Sequence, residues 1–279
     1  MDAMADFLRQ MAKSNGIPLT HAALVLPSTE VFTRELVMPA MTEQQLLYNL
    51  PYEFRDYLTE EKSKYFFDYS MREVLRDESG HPTEMNLLAC ATLKSTVESY
   101  RAMLRRAGFR LRVLTPSECA YSAVLQAYYR RTRQEGRDLC VVNLGHSATF
   151  LYIYRGGHFA SRREIEVGMS DLEHLVADQC SVDVHVAHEY VRQNYNHVLE
   201  SEQARELYGR IAVEVVKAVN FFNYNNRERE LTQLCLCGGG SAIQPLYDTI
   251  ADTTGMTLHT SAELLGQRMS TEEPWMYLR

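Results

Sequence analysis

Residues 138–157 read Asp138-Leu-Cys-Val-Val-Asn-Leu-Gly-His-Ser-Ala-Thr-Phe-Leu-Tyr-Ile-Tyr-Arg-Gly-Gly157, and they set the architecture of the chain. Two apolar runs, Leu139 to Val142 and Thr149 to Tyr154, flank a short polar turn and predict two paired strands. The Gly156-Gly157 pair predicts a tight hairpin into a third strand that ends before Gly168. The stretch therefore predicts a strand, turn, strand and hairpin unit.

The turn between the first two strands is a candidate anion site. Gly145 lets backbone N–H groups approach a ligand closely, and Ser147 and Thr149 add hydroxyl groups beside it. A glycine in a turn also serves simply to make a tight connection, so both interpretations stay open for each glycine of this kind.

A second glycine-rich turn follows about ninety residues later in the chain. The run Leu231 to Cys237 predicts a buried strand, and Gly238-Gly239-Gly240-Ser241 joins it to a helix from Ala242 to Thr254. Glycines between a strand and a helix N-terminus permit a flat or phosphorylated ligand to approach the backbone. Two such turns in one chain indicate a ligand-binding cleft.

Composition excludes several classes of protein. The chain has 279 residues, of which 46% are hydrophobic, enough for the cores of one or two domains. Its net charge is 29 − 36 = −7, and no basic cluster is interleaved with aromatics, which argues against nucleic-acid binding. The arginine run is predicted to be a solvated face of a helix and the strand after it. Its members are Arg101, Arg105, Arg106, Arg110 and Arg112.

Cellular location and cysteine chemistry also follow from the sequence. The N-terminus lacks a secretion signal, and no apolar run approaches the ~20 residues of a membrane span, so we expect a cytoplasmic chain without direct membrane insertion. The six cysteines show no C-x-x-C spacing, so we expect buried free thiols and no metal. Cys235 and Cys237 lie on the same face of a predicted strand because they are two residues apart.

The N-terminal third is predicted to form a compact unit of four strands and a helix. A helix from Ala5 to Ser14 opens the chain and ends at Asn15-Gly16. A second helix begins near Met41, and Pro51 is expected to kink or divide it. The four strands are His21 to Leu26, Val31 to Met38, Tyr65 to Leu75 and Met85 to Leu93.

The rest of the chain alternates between helices and strands. An amphipathic helix from Ser95 to Gly108 precedes a strand from Phe109 to Leu114, and Ser117 caps a helix over Glu118 to Arg131. Three further helices are predicted at Ser170 to Asp178, Val182 to Tyr195 and Ser201 to Asn223. In the last of these, Ile211, Val215, Ala218 and Phe222 share one face, whereas Glu214 and Lys217 share another.

Several motifs together resemble the PilM family, the actin-like proteins of type IV pilus assembly. FtsA is a related actin-like protein. They are Val-Val-Asn-Leu-Gly-His-Ser-Ala-Thr149, Cys237-Gly-Gly-Gly-Ser-Ala-Ile243, Glu214-Val-Val-Lys-Ala-Val-Asn-Phe-Phe222 and Leu24-Val-Leu-Pro-Ser28. Met38-Pro-Ala-Met-Thr-Glu-Gln-Gln-Leu46 and Leu87-Leu-Ala-Cys-Ala-Thr-Leu-Lys-Ser-Thr-Val-Glu-Ser-Tyr100 resemble its inserted small domain and exit helix. The resemblance extends from about Ala5 to Leu264.

The resemblance implies an α/β, actin-like (ribonuclease H-like) bilobal fold with an inserted small α+β domain of the PilM/FtsA type. Residues 1–20 and 114–135 would be a remnant of the first lobe, and residues 21–113 the inserted domain with its exit helix and strand. Residues 136–279 would be the second lobe, with a helical subdomain at about 169–200.

The resemblance also implies a cleft for ATP with Mg²⁺. The second phosphate loop of the family corresponds to Asn143, Gly145, His146 and Ser147, and its adenosine turn to Gly238, Gly239, Gly240 and Ser241. Glu214 and Lys217 stand where the family contacts adenine and ribose, although an exposed i, i+3 ion pair is the stronger explanation of these two residues.

Two departures from the family pattern predict a degenerate nucleotide site. No Asp-x-Gly hairpin precedes the helix near Ala5, so we expect the first phosphate loop to be missing. Asn143 replaces an expected aspartate, and an amide has no charge to hold a divalent cation. Because phosphoryl transfer depends on positioning and charge neutralisation, we expect no ATP hydrolysis and no catalytic residues.

The resemblance implies a non-enzymatic cytoplasmic adaptor that binds the cytoplasmic tail of a membrane-anchored PilN-like partner and other pilus platform proteins. Such an adaptor would be recruited to the inner face of the cytoplasmic membrane through its partners. The alternative is an ATP-binding actin-like ATPase, either FtsA-like or related to sugar kinases, whose N-terminal phosphate loop is missing from this chain. An FtsA-like protein needs a C-terminal amphipathic membrane helix, and the tail from Ser270 to Arg279 is too short for one.

Overall fold

The structure is a computed structural model that describes residues 2–134, 136–227 and 230–266. The chain forms two compact units, Met1–Ala120 and Tyr121–Arg279. The division falls within one helix, Ser117–Thr132. The finer assignment of chain segments to two lobes and an inserted domain stays a prediction, and the tail from Ser270 to Arg279 lies outside the described residues.

The first unit contains three helices, five strands and the start of a fourth helix among its described residues. In chain order they are α1 (Asp2–Ser14), β1 (His21–Leu26), β2 (Phe32–Pro39), α2 (Glu43–Glu53), β3 (Tyr65–Arg76), β4 (Pro82–Leu93), α3 (Lys94–Ala107), β5 (Arg110–Pro116) and α4 (Ser117–Thr132). A 3-10 turn, Lys62–Lys64, precedes β3.

The second unit begins with the remainder of α4. The elements that follow are β6 (Leu139–Leu144), β7 (Thr149–Arg155), β8 (His158–Ile165), α5 (Met169–Cys180), α6 (Val184–Gln193), α7 (Glu202–Asn225), β9 (Gln233–Cys237), α8 (Gln244–Thr254), β10 (Thr257–Thr260) and α9 (Ser261–Leu265). Tyr195–Glu200 and Gly239–Ala242 form 3-10 turns.

A three-stranded antiparallel sheet with the order β2-β4-β3 packs against α2 in the first unit. Thr42 and Gln45 begin α2 with reciprocal capping hydrogen bonds. Leu46, Leu50 and Phe54, at most 1% exposed, pack against this sheet. The helix continues through Pro51 to Glu53, so the predicted division of the helix at Pro51 is wrong, whereas a kink there stays a prediction. Packing of Leu46, Leu50 and Phe54 on the sheet holds the residues on both sides of Pro51 in place despite the hydrogen bond that proline cannot make.

Strand β1 does not join the three-stranded sheet. It pairs in parallel with β5, and the His21–Arg110 pair starts the register. The sequence grouped β1 with the other three strands because strand pairing between distant segments has no local signal. Helices α1 and α3 cover this pair of strands through a small core of Ala5, Met103, Leu104 and Ala107.

The second unit is built on a five-stranded sheet with the order β10-β9-β6-β7-β8. The central strand β6 pairs in parallel with β9 and antiparallel with β7. Its residues Leu139 to Val142 are at most 1% exposed, which explains the continuous apolar run in the sequence. The predicted face of α7 lies in the core beside this sheet, with Ile211, Val215, Ala218 and Phe222 all buried.

Replacing Leu50 with alanine tests the packing of α2 on the three-stranded sheet. Leu50 is 0% exposed, so Leu50→Ala should leave a cavity and lower the free energy of unfolding by about 3 kcal/mol. Leu47 lies on the same helix and is 43% exposed, so Leu47→Ala should cost less than about 0.5 kcal/mol. Urea denaturation followed by circular dichroism compares them, and equal losses would contradict the assigned helix face.

Candidate functional site

The turn after β6 is held by hydrogen bonds to its own backbone. The N–H of Gly145 donates to the carbonyls of Asn143, at 3.1 Å, and Ala148, at 3.2 Å. A Cβ added to Gly145 would lie 2.7 Å from the Ala148 oxygen, so the turn requires glycine there without any ligand. His146 and Ser147 are exposed at its tip.

Helix α5 begins directly against this turn. The backbone N–H of Met169 donates to the carbonyl of Gly145 at 3.0 Å, and that of Ser170 donates to His146 at 2.8 Å. The side chain of Asp171 accepts from the Gly168 N–H at 2.8 Å. Free N–H groups in the first turn of a helix are the ones that bind anions, and here they bond to the protein itself.

The second glycine turn lies beside the first because β6 and β9 are neighbours. Cys237, the last residue of β9, is paired with Asn143. Gly238 has a φ of +83°, and a Cβ there would lie 2.4 Å from the Asn143 Oδ1 and 2.6 Å from the Leu144 carbonyl oxygen. The Ser241 hydroxyl donates to the Gly238 carbonyl at 2.7 Å. The structure therefore brings the two predicted turns together.

The glycines of the second turn differ in what the fold requires of them. A Cβ on Gly240 would lie 2.7 Å from the Met169 sulfur and 2.8 Å from the Leu144 Cβ, so close packing explains this glycine. A Cβ on Gly239 would meet no atom within 4 Å. Gly239 is therefore the position in this turn at which a side chain has open space.

A buried carboxylate that the sequence analysis missed lies beside the first turn. Glu173 is 8% exposed, and its carboxylate accepts a hydrogen bond from the Nδ1 of His188 at 2.8 Å. The His146 Nδ1 lies 3.8 Å from the same carboxyl oxygen. The one available signal was Glu173 facing inward on an amphipathic helix, which does not reveal its histidine partners.

Tyr121 of α4 contacts the end of β9. Its hydroxyl lies 3.4 Å from the Cys237 sulfur, and its ring centroid lies 5.1 Å from that of Tyr152. Burial raises the pKa of the Tyr121 hydroxyl and raises that of the Cys237 thiol to about 11. Both groups are therefore neutral at physiological pH, and all six cysteines are free, as predicted.

Glu214 and Lys217 belong to a different pocket, of about 620 Å³, lined also by Glu164, Val167 and Arg210. The Lys217 ammonium lies 2.7 Å from one Glu214 oxygen, and Arg163 lies 3.2 Å from the other. The hydrogen bond from Lys217 and the neighbouring positive charges lower the pKa of Glu214. These contacts form the i, i+3 ion pair that was the other explanation of Glu214 and Lys217. A nucleotide role for the two residues stays a prediction.

The described residues contain neither a metal-binding cluster nor a helix able to cross a membrane. Within residues 2–134, 136–227 and 230–266, no three His, Cys, Asp or Glu side chains are arranged to hold a metal ion. In the same part of the chain, no helix combines the length and apolar character needed to cross a bilayer.

The fold has a β6–β7 turn beside a strand-to-helix turn after β9 in a mixed sheet, and it is of the actin-like α/β class expected from the sequence. The family described as type IV pilus assembly protein PilM matches residues 1–272. The chain belongs to this family. No curated protein matches the chain significantly.

Among solved structures, the chain is similar to one described as the PilM-PilN type IV pilus biogenesis complex, with a TM-score of 0.77 and 18% identity. That match covers 96% of this chain and 77% of the other. The ethanolamine utilization protein EutJ from Carboxydothermus hydrogenoformans gives a TM-score of 0.47 and 15% identity, covering 62% of this chain and 58% of the other. An archaeal actin homologue gives a TM-score of 0.42 and 16% identity, covering 57% and 56%.

Replacing Gly238 with alanine tests the close approach of the two turns. The added Cβ would overlap the Asn143 side chain and the Leu144 backbone at a positive φ, so Gly238→Ala should lower the free energy of unfolding by about 3 kcal/mol. Gly255 of the same unit has a φ of +62° and open space, so Gly255→Ala should cost only about 1 kcal/mol. Thermal or urea unfolding measures both, and equal costs would contradict the packing described here.

Proposed function

We propose that this chain is a non-enzymatic adaptor of a type IV pilus assembly platform and that it binds the cytoplasmic tail of a PilN-like membrane protein. The observation that supports it most strongly is the family match over residues 1–272. A PilM chain of the same fold was solved in a PilM-PilN complex. Such a partner would recruit the chain to the inner face of the cytoplasmic membrane.

The three-stranded sheet offers an edge for an extended tail. In the part of the chain that the structure describes, β2 pairs with β4 on one side only. The N–H and C=O groups on its other side are therefore available to an added strand, which is one of the recurring ways in which proteins bind peptides. Val37 of β2 is 69% exposed and supplies an apolar contact at this edge.

A buried polar atom lies next to Val37 on the face of the sheet opposite α2. Asn86 of β4 is the register partner of Val37, and its Oδ1 is buried with no hydrogen-bond partner. Because β2 lies between Asn86 and the free edge, this buried acceptor belongs to the interior of the sheet, and Val37 is the residue exposed to a tail. Nearby, Arg72 and Glu35 form an ion pair of 3.0 Å that gives this face a polar border. We therefore place the tail along β2, with Val37 at its centre.

A peptide titration tests both the partner and its place. A synthetic peptide of a PilN N-terminal tail should bind the purified chain saturably in calorimetry. Val37→Asp should weaken that binding about tenfold or more, because it puts a charge into an apolar contact. Since Val37 is exposed, the change should leave the unfolding free energy within about 0.5 kcal/mol of the original.

Val186→Asp is the matched control, because Val186 is 42% exposed and belongs to the other unit. Its peptide affinity should equal that of the unchanged chain. No saturable binding to the unchanged chain would contradict the adaptor function. Equal binding by the Val37→Asp and Val186→Asp variants would instead contradict only the place of the tail.

The degenerate nucleotide site is the second part of the proposal. Asn143 supplies an amide rather than a carboxylate, and its Oδ1 lies against Gly238. The Ser241 hydroxyl and the first N–H groups of α5 bond to backbone carbonyls of the protein. The residues of the two turns therefore do not fit a magnesium-bound phosphate, which needs charged or free oxygen ligands and free N–H donors.

A phosphate-release assay with Mg-ATP tests this part. We expect no release above the rate in buffer, because the turns lack a carboxylate and free donors for the transferred group. Calorimetry then measures the binding of ATP to the unchanged chain and to the Gly239→Ala variant. Gly239 is chosen because it has room for a methyl group. Measurable turnover, or binding of ATP that Gly239→Ala removes, would favour the alternative of an ATP-binding actin-like ATPase.

A further inference from the structure

Three of the five arginines of the run line a pocket in the first unit. Its volume is about 740 Å³, within the range of pockets that hold small-molecule ligands. Arg101 and Arg105 reach it from α3, Arg110 from β5, and His21 from the start of β1. Between residues 98 and 112 the chain has five arginines and one glutamate, whereas the whole chain has a net charge of −7.

Arginines near a helix C-terminus often bond to its last carbonyls, but in α3 other groups already do so. Cations at a helix C-terminus bond to its last carbonyls, and in α3 the guanidinium of Arg9 does so at Arg106 and Ala107. The N–H groups of Gly108 and Phe109 bond to the carbonyls of Arg105 and Leu104. Capping of α3 therefore does not account for the side chains of Arg105 and Arg110.

Ion pairs account for only part of the run. Arg106 pairs with Asp2 at 2.6 Å, and Arg101 pairs with Glu98 on an exposed face. Arg105 and Arg110 have no acidic partner among the residues that the structure describes. Arg110 is moreover the register partner of His21, so these two side chains lie next to each other on one face of the strands. Within the described residues, two of the three arginines that line the pocket, Arg105 and Arg110, therefore have no acidic partner.

The rest of the lining is apolar. Leu19, Phe109 and Leu111 are each partly exposed at the pocket, and Gly108 contributes no side chain. Guanidinium groups bind phosphate oxygens through paired N–H donors, and two elements that approach one anion can share its oxygens. A ligand with a phosphate group and an apolar portion would satisfy both parts of the lining.

We propose that this pocket, lined by Arg101, Arg105, Arg110 and His21, binds a small soluble phosphorylated compound. A diphosphate suits the site better than a single carboxylate, because it has more charge and more acceptor oxygens for several guanidinium groups. The pocket lies in the first unit, whereas the two glycine turns lie in the second, so the proposal is independent of the nucleotide site and of the adaptor function.

Calorimetry with inorganic pyrophosphate at low ionic strength tests the proposal on the full chain. The unchanged chain should bind pyrophosphate saturably, and added salt should weaken the binding. The double variant Arg105→Ala with Arg110→Ala should bind at least about tenfold more weakly. Replacing both residues with lysine keeps the charge but removes the paired donors. The affinity of this lysine variant for pyrophosphate should therefore fall between that of the unchanged chain and that of the double-alanine variant.

The matched control is the double variant Arg192→Ala with Arg205→Ala, which removes the same charge from exposed positions of the second unit. It should bind pyrophosphate as the unchanged chain does. No saturable binding, or equal weakening by the control, would overturn the proposal. Vesicles of phosphatidylglycerol form a separate arm, and binding to them without binding to pyrophosphate would show a lipid surface instead and would also overturn it.

Discussion

The parallel pairing of β6 with β9 is the constraint on which the second unit depends. It places Asn143 beside Cys237. The turns that follow the two strands must therefore pass close to each other. Gly238 is required because Asn143 and Leu144 occupy the space of a side chain, and Gly240 because Met169 does. Most of the glycines of the two turns are thus explained by packing, while Gly239 alone among Gly238, Gly239 and Gly240 has open space.

The family resemblance implies both that the two turns lie side by side and that they bind nucleotide. The packing described here agrees with the first property but not with the second. The two turns adjoin, as they would in a nucleotide-binding fold, but their hydrogen-bonding groups largely satisfy one another. The N–H groups of Met169 and Ser170 and the hydroxyl of Ser241 all have protein acceptors. In the first unit, the outer edge of β2 has no neighbouring strand, and Arg105 and Arg110 have no acidic partner among the described residues. These two surfaces of the first unit are the ones on which our binding proposals rest.

Local sequence patterns predicted elements better than their partners. The buried run of β6, the apolar face of α7 and the turns at Gly145 and Gly238 follow from periodicity and glycine placement. The pairing of β1 with β5 and the contacts of Glu173 with His188 do not, because they join segments distant in the chain. The short strand β10 has only four residues and was missed, since so short a run gives no clear alternation. The arginine run was visible, but only the structure shows that it lines a pocket.

Hydrogen exchange of the full chain, measured by mass spectrometry with and without the PilN-type peptide, compares the two units within one experiment. Our account predicts slower exchange of the backbone amides of β2, residues 32–38, when the peptide is bound, and unchanged exchange at residues 143–148 and 238–241. Protection confined to the two glycine turns, or no protection anywhere under conditions of saturation, would contradict it.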